Sequence, residues 1–363
     1  MRTPRPSGDR PSPRIYAAAA LSLIYLILLR FPPLGDPATR GEMARASDLM
    51  ARAAAAIRDC RAARGVPVVP SDDPNGTGLI GVERSMITTS LGSLEAKRTT
   101  TNPDFAALVV RLLRDAGVRR GDAVGVGASS SFPALIVATL AAAEAMGVEP
   151  LVISSLGASE WGANIPGFGW LDMEECLRRA GLAGSVPIAR SLGGEGDAGL
   201  DMDPEGRALI ESRILAGGAP FIGEPSLERN VAARMACYRE SAGARPLKAF
   251  INIGGSWANM GTDPEVLKIK PGLAERVFVP PPERRGVIQA MAGAGVPVIH
   301  LLNIRGLCER YGLPWDPQPL PAPGESRFSR LAAARSWPAT ALTAAYALVM
   351  LVLLAIPRRR FYS

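Results

Sequence analysis

Histidine is almost missing from this chain: His300 is the only one in 363 residues. That excludes the H-E-x-x-H helix of zinc hydrolases and any site built from several imidazoles. An all-carboxylate site for a hard cation stays open, but no metal and no cofactor is expected. Cysteine is scarce as well. Cys60, Cys176, Cys237 and Cys308 stand singly, with no C-x-x-C pair. Four cysteines allow three pairings, and buried free thiols are an equal alternative. A charged central region is also lacking. The formal net charge of +7 is carried at the two ends, by Arg2, Arg5, Arg10, Arg14 and Arg30 against Asp9, and by Arg358, Arg359 and Arg360. The middle is neutral, unlike a folded nucleic-acid-binding domain, and no nucleic-acid partner is expected.

Two long apolar runs are present. Residues 15–29 (IYAAAALSLIYLILL) and 337–356 (WPATALTAAYALVMLVLLAI) contain no charged residue. They predict an N-terminal anchor over 15–30 and a second transmembrane helix over 337–356. The first run is short of the roughly 20 residues a span needs, so a cleaved signal peptide competes with an uncleaved anchor. Arginines outside both runs predict cytoplasmic tails, residues 1–14 and 357–363, under the positive-inside rule. The expectation is a protein of the plasma (inner) membrane with its main domain extracytoplasmic.

Between the runs, residues 41–64 are rich in Ala and Arg and predict a juxtamembrane helix. From residue 104 onward, helical periodicity alternates with short apolar strands. The predicted strands are DAVGVG, EPLVIS, residues 186–190, LKAFINI and VPVIHLL. Helices are predicted over 104–116, 132–146, 171–180, 204–215, 225–239 and 282–292. Apolar strands separated by helices predict an α/β fold with a doubly wound, mostly parallel sheet over residues 66–315. Residues 316–336 open with DPQPLPAPG and read as a Pro-rich linker.

Ligands of such sheets bind beyond the carboxyl ends of the strands. There the sequence places Ser129, Ser130 and Ser131, then Ser155 to Ser159, then Gly254, Gly255, Ser256 and Asn259, then Asn303. Small residues let backbone N–H groups approach a ligand. Arg84, Lys97 and Arg98 lie in a hydroxyl-rich stretch and are candidate carboxylate or phosphate binders. The long loop over 154–174 adds Asn164, Trp161, Trp170 and Asp172. The turn Gly127-Ala128-Ser129-Ser130-Ser131 is similar to the G-x-S-x-G elbow, with Ser131 in place of the last glycine. Asp263 and His300 follow in the order of α/β-hydrolases. Ser129 as nucleophile, His300 as base and Asp263 as its orienting group therefore form a candidate catalytic triad. Against this, Ser131 suits a helix N-cap and His300 a buried strand position.

The stretches TGLIGVERSMITTSLGSLEAKRTTTNPDFAAL, GASSSFPALIVATLAAAEAMG, SSLGASEWGANIPGFGWLDMEE, INIGGSWANMG and IHLLNI together resemble the poly-gamma-glutamate system protein family over residues 77–321. The resemblance implies an accessory role beside the machinery that makes and exports poly-γ-glutamate, with synthase or export subunits as partners and the anionic polymer or a glutamate-containing compound as ligand. It implies no catalytic residue. Three functions are thus open: an anchored accessory binder, a serine hydrolase or amidase of the polymer, and a membrane scaffold without a ligand.

Overall fold

The structure, a computed structural model, describes residues 13–30, 37–182, 186–333 and 339–355. The described strands are β1 (Ala123–Ser129), β2 (Glu149–Ser155), β3 (Asn164–Ile165), β4 (Phe168–Gly169), β5 (Ala189–Ser191), β6 (Leu247–Ile253), β7 (Gly272–Leu273) and β8 (Val298–Leu301). The α-helices begin with α1 (Pro13–Arg30), α2 (Pro37–Ala63), α3 (Leu94–Thr100), α4 (Asp104–Asp115), α5 (Pro133–Met146), α6 (Trp170–Arg179) and α7 (Pro204–Ala216). They continue with α8 (Leu227–Ala242), α9 (Trp257–Met260), α10 (Val287–Gly293), α11 (Ile304–Tyr311), α12 (Arg327–Ala333) and α13 (Ala339–Ala355). The chain divides into two units, one running from Pro37 to Arg330 and one made of the two ends.

In the central unit, β1 is buried at every position and β6 at its last five. Strands apolar on both faces need cover on both sides, and parallel sheets provide it. The sheet order is β5-β2-β1-β6-β8-β7. All pairings are parallel except that of the short β7 with β8. The chain builds outward from β1 to β2 and β5, then returns to the other side of β1 for β6 and β8. The direction therefore reverses between β1 and β6, and at such a switch point the strand ends part to leave a crevice. A second, two-stranded sheet pairs β3 with β4.

Helix α5 is apolar nearly all round and buried because α2 and α4 pack against it. Tyr238 of α8 and Val287, Ile288 and Met291 of α10 share another core cluster with Leu151, Ile153 and Phe250 of the sheet. The Tyr238 hydroxyl donates to Val126 O at 2.9 Å, which satisfies the one polar atom that this ring buries. A disulfide joins Cys60 of α2 to Cys176 of α6, while Cys237 and Cys308 are free.

The doubly wound, mostly parallel sheet follows the sequence expectation, but some boundaries differ. β5 covers only Ala189–Ser191, where a strand was expected from 186; Pro187 has no N–H for a ladder, and Val186 is exposed. α10 starts at Val287 and not near 282, because Gly286 is extended and its N–H is capped by Gln289 Oε1 at 2.8 Å. The expected linker is fastened down. Asp316 receives both Nε (2.8 Å) and Nη2 (2.5 Å) of Arg98. Asn75 binds Pro317 O and the N–H of Leu320. Asp104 takes the N–H groups of Gly324 and Ser326.

In the unit made of the ends, α1 and α13 pack on one another. Tyr25 stacks on Tyr346 with centroids 4.2 Å apart, and the Ser22 and Tyr346 hydroxyls are 2.8 Å apart. Tyr25 also bonds Thr343 at 3.0 Å. The expected transmembrane helices are not borne out: among the described residues, no helix is long and apolar enough to cross a membrane. The charge-free part of α1 is about 22 Å long at 1.5 Å per residue, against a hydrocarbon core of about 30 Å. This overturns the expected membrane placement, with its cytoplasmic tails and extracytoplasmic main domain. Residues 1–12 and 356–363, which hold most of the terminal arginines, lie outside the described residues, as do Trp337 and Pro338.

Candidate active site

Six chain segments meet beyond the carboxyl ends of β1, β2, β5, β6 and β8 around a cleft of about 490 Å³. Its floor and near wall carry Ser129, Ser131, Ser155 and Ser159. Lys97 enters from α3, and Gly255 and Ser256 form the facing turn. The walls also carry apolar side chains, among them Phe132, Trp257 and Leu302.

The chemistry centres on Lys97. Helix α3 is started by Ser93, whose hydroxyl accepts from Ala96 N, and it buries Lys97 to 3 % exposure. Lys97 Nζ donates to Ser131 O at 2.5 Å and to Ser159 Oγ at 2.7 Å, and lies 3.9 Å from the centre of the Phe132 ring. No carboxylate pairs with it among the described residues. Burial without a counter-ion lowers its pKa to about 7, and the field of Glu160 opposes that shift. Near neutral pH, much of Lys97 is therefore an uncharged amine, able to accept a proton from the hydroxyl beside it.

Ser159 is held by its own segment, Gly157 to Gly162. Its N–H donates to Ser131 Oγ at 2.9 Å. Trp161, two residues on, has φ of 62°, an uncommon conformation for a bulky residue, and its N–H and C=O are bonded to Val82 and Gly81. Gly162 completes the site by its lack of a side chain. A Cβ there would lie 2.9 Å from Ser131 Cα and 3.0 Å from both Ser131 O and Ser159 O.

The expected triad is not assembled. The Ser129 hydroxyl accepts from Ser131 N at 3.3 Å. His300 Nδ1 accepts from Asn252 Nδ2 at 3.1 Å, so the ring is neutral with its proton on Nε2, and burial lowers its pKa to about 4. Asp263 accepts from Glu265 N and pairs with Arg284, apart from the imidazole. Ser131 is not the N-cap of α5; that place belongs to Phe132.

The other expected ligand-binding residues divide. Lys97, Ser129, Ser131, Ser155, Gly255 and Ser256 line the cleft, and Gly254, with φ of 75°, turns the chain beside Ser129. Ser130 is buried with a hydroxyl that finds no partner among the described residues. Asn259 packs against β1, its amide filling the place of a Cβ on Gly127. Asn164 clamps Val82 and Thr88. Asn303 caps α11 through Gly306 N. The three expected cations do not converge: Arg98 is paired with Asp316, Arg84 is exposed outside the cleft, and Lys97 is turned inward. The sequence places Ser159 among the strand-end residues without singling it out; the glycines that bracket it, Gly157 and Gly162, are the available signal.

The cleft wall also carries Glu195 and Asp201, neither in an ion pair among the described residues. Desolvation, followed by the field of Glu195, raises the Asp201 pKa, while N–H donors oppose the shift. Another hollow, of about 620 Å³, lies between α6, β5 and α7, but its arginines are already matched: Arg178 with Glu175, Arg190 with Glu174, Arg213 with Asp172. Compared with models of known protein families, with curated proteins and with solved structures, the chain matches none.

Proposed function

We propose that the protein is a serine hydrolase of the serine–lysine type, cleaving γ-glutamyl amide bonds of the kind that join poly-γ-glutamate. The observation that carries the reaction is the 2.7 Å contact between Lys97 Nζ and Ser159 Oγ in a cleft at the strand ends. The amine takes the Ser159 proton as Oγ attacks the acyl carbon. The ammonium so formed returns that proton to the departing nitrogen as the C–N bond breaks. Water, deprotonated by the same amine, then attacks the acyl carbon; the C–Oγ bond breaks and the ammonium returns its proton to Ser159 Oγ.

Support for the substrate is of a different kind. All five stretches that carry the resemblance to the poly-gamma-glutamate system protein family contribute residues to this cleft, from Lys97 through Ser131, Ser159 and Ser256 to Leu302. The cleft holds one inward-turned amine and two unpaired carboxylates, which suits a short γ-glutamyl compound or a chain end bearing a free amine better than the middle of a long polyanion. The binding role expected through Arg84, Lys97 and Arg98 has no such gathering of charge behind it.

The test is to incubate the full chain at pH 8 with poly-γ-glutamate and with short γ-glutamyl peptides and to follow newly released amino groups. Release that falls at least a hundredfold in both Ser159→Ala and Lys97→Met is the expected result. No release by the wild-type protein, or release that survives either substitution, overturns the proposal.

A further inference from the structure

Ser131 is bonded to both members of the serine–lysine pair, and it does so with two different atoms. Its carbonyl oxygen accepts from Lys97 Nζ, and its hydroxyl accepts from the N–H of Ser159. Its own N–H leans on Ser129 Oγ. An uncharged amine has two N–H bonds and one lone pair, roughly tetrahedral about nitrogen. Around Lys97 Nζ the structure provides three neighbours: Ser131 O, the face of the Phe132 ring and Ser159 Oγ. The carbonyl and the electron-rich ring face both attract N–H. Only the hydroxyl can donate, so once the amine is uncharged its lone pair is left for Ser159, and the bond that the ammonium donates to Ser159 Oγ runs the other way.

We propose that Ser131 is a positioning residue of this site, setting the aim of the Lys97 lone pair through its carbonyl and the location of Ser159 through its hydroxyl. The inference rests on the serine–lysine reading above. It accounts for two features together: a half-buried hydroxyl at the cleft whose acceptor site is taken by the nucleophile's own backbone, and a glycine at 162 that lets the two serine segments touch. Replacing the hydroxyl leaves the Ser159 N–H without a partner and frees Oγ to drift; a misplacement of about 1 Å costs around a hundredfold in such geometries.

An alkyl fluorophosphonate reads this without a known substrate. In that reaction the Ser159 Oγ–P bond forms, the P–F bond breaks, Lys97 takes the hydroxyl proton and fluoride leaves. Labelling rates are measured from pH 5 to 9 on the full chain, with the labelled serine located by peptide mass spectrometry. The wild-type protein is expected to label at Ser159. Ser131→Ala is expected to label at least tenfold more slowly at the plateau, with the midpoint pH unmoved because the carbonyl is retained, and Ser131→Thr to recover most of the rate. A rate in Ser131→Ala equal to wild type overturns the proposal while leaving the serine–lysine reading intact. So does a loss matched by a lower thermal midpoint and not restored by threonine. Label on Ser131, or none on any serine of the wild-type chain, overturns both.

Discussion

Arg234 Nη2 lies 2.6 Å from Asp197 Oδ2, and neither side chain has any exposed surface. The pair is the centre of a polar knot. Arg234 also donates to Ser191 Oγ and Asn230 Oδ1, and Asp197 also accepts from Ser191 Oγ and Asn230 Nδ2. The knot fastens the glycine-rich turn that follows β5, where Asp197 itself has φ of 56°, and this turn brings Glu195 to the cleft. Asp197→Ala leaves a buried guanidinium without its counter-ion and is expected to cost about 3–5 kcal/mol. Urea unfolding should place the double variant Asp197→Leu/Arg234→Met above Asp197→Ala, since removing both charges also removes the desolvation penalty.

The acid–base behaviour of the site follows from Lys97. Its pKa of about 7 lies below the ordinary 10.5, so labelling of Ser159 should rise through pH 7 and level off above it. The same shift makes stability depend on pH. Between about 7 and 10.5 the unfolded chain binds a proton that the folded chain does not, so the protein gains stability as pH rises through that window. Lys97→Met should flatten this slope in denaturant titrations. His300 gives a second slope on the acid side: with a folded pKa of about 4 against 6.5, stability falls as pH drops through that interval. His300→Asn should remove the acid slope and leave Ser159 labelling within threefold of wild type; a collapse of labelling would restore the imidazole to the chemistry.

Gly162→Ala tests the closeness of the two serine segments. Its Cβ would meet backbone atoms of Ser131 and Ser159 at about 3.0 Å, and backbone yields less readily than a side-chain tip. Overpacking of this kind costs about 1–3 kcal/mol. A drop in labelling of tenfold or more is expected even where the variant remains folded, as followed by circular dichroism.

The disulfide between Cys60 and Cys176 spans 116 residues and ties α2 to α6. Opening it is expected to cost about 2–4 kcal/mol. Thermal unfolding with and without dithiothreitol measures this, and Cys60→Ser should reproduce the reduced protein. Cys237→Ser, at a free thiol, should leave the difference intact.

Local patterns made much of the fold legible. LKAFINI is a strand over its full length, and residues 104–115 form the helix that their spacing predicts, because apolar period and breakers act over a few residues. The strand-end rule also located the cleft. It did not single out the proposed serine–lysine pair, since Lys97 and Ser159 are 62 residues apart and meet only through tertiary folding. Helix α3, LEAKRTT, is too short and polar to show a periodic face. The histidine drew attention by its rarity, yet rarity fixes no geometry: in the sheet it is bound to Asn252. The apolar ends misled for a related reason. Charge-free composition reports hydropathy, while spanning also requires length, and stacking between Tyr25 and Tyr346 gives these helices a partner in each other.

The proline-rich run after Asp316 has a practical meaning for anyone trimming this protein. Arg98 and Thr99 sit on the same short helix as Lys97, and both are bonded to Asp316, through its carboxylate and its N–H respectively. Beyond it, the N–H groups of Gly324 and Ser326 close on Asp104 at the start of the next helix. A fragment stopped at residue 315 would keep every described strand yet lose the brace behind Lys97. The smallest piece worth expressing runs from Pro37 to Arg330, and its far edge holds the helix that carries Lys97.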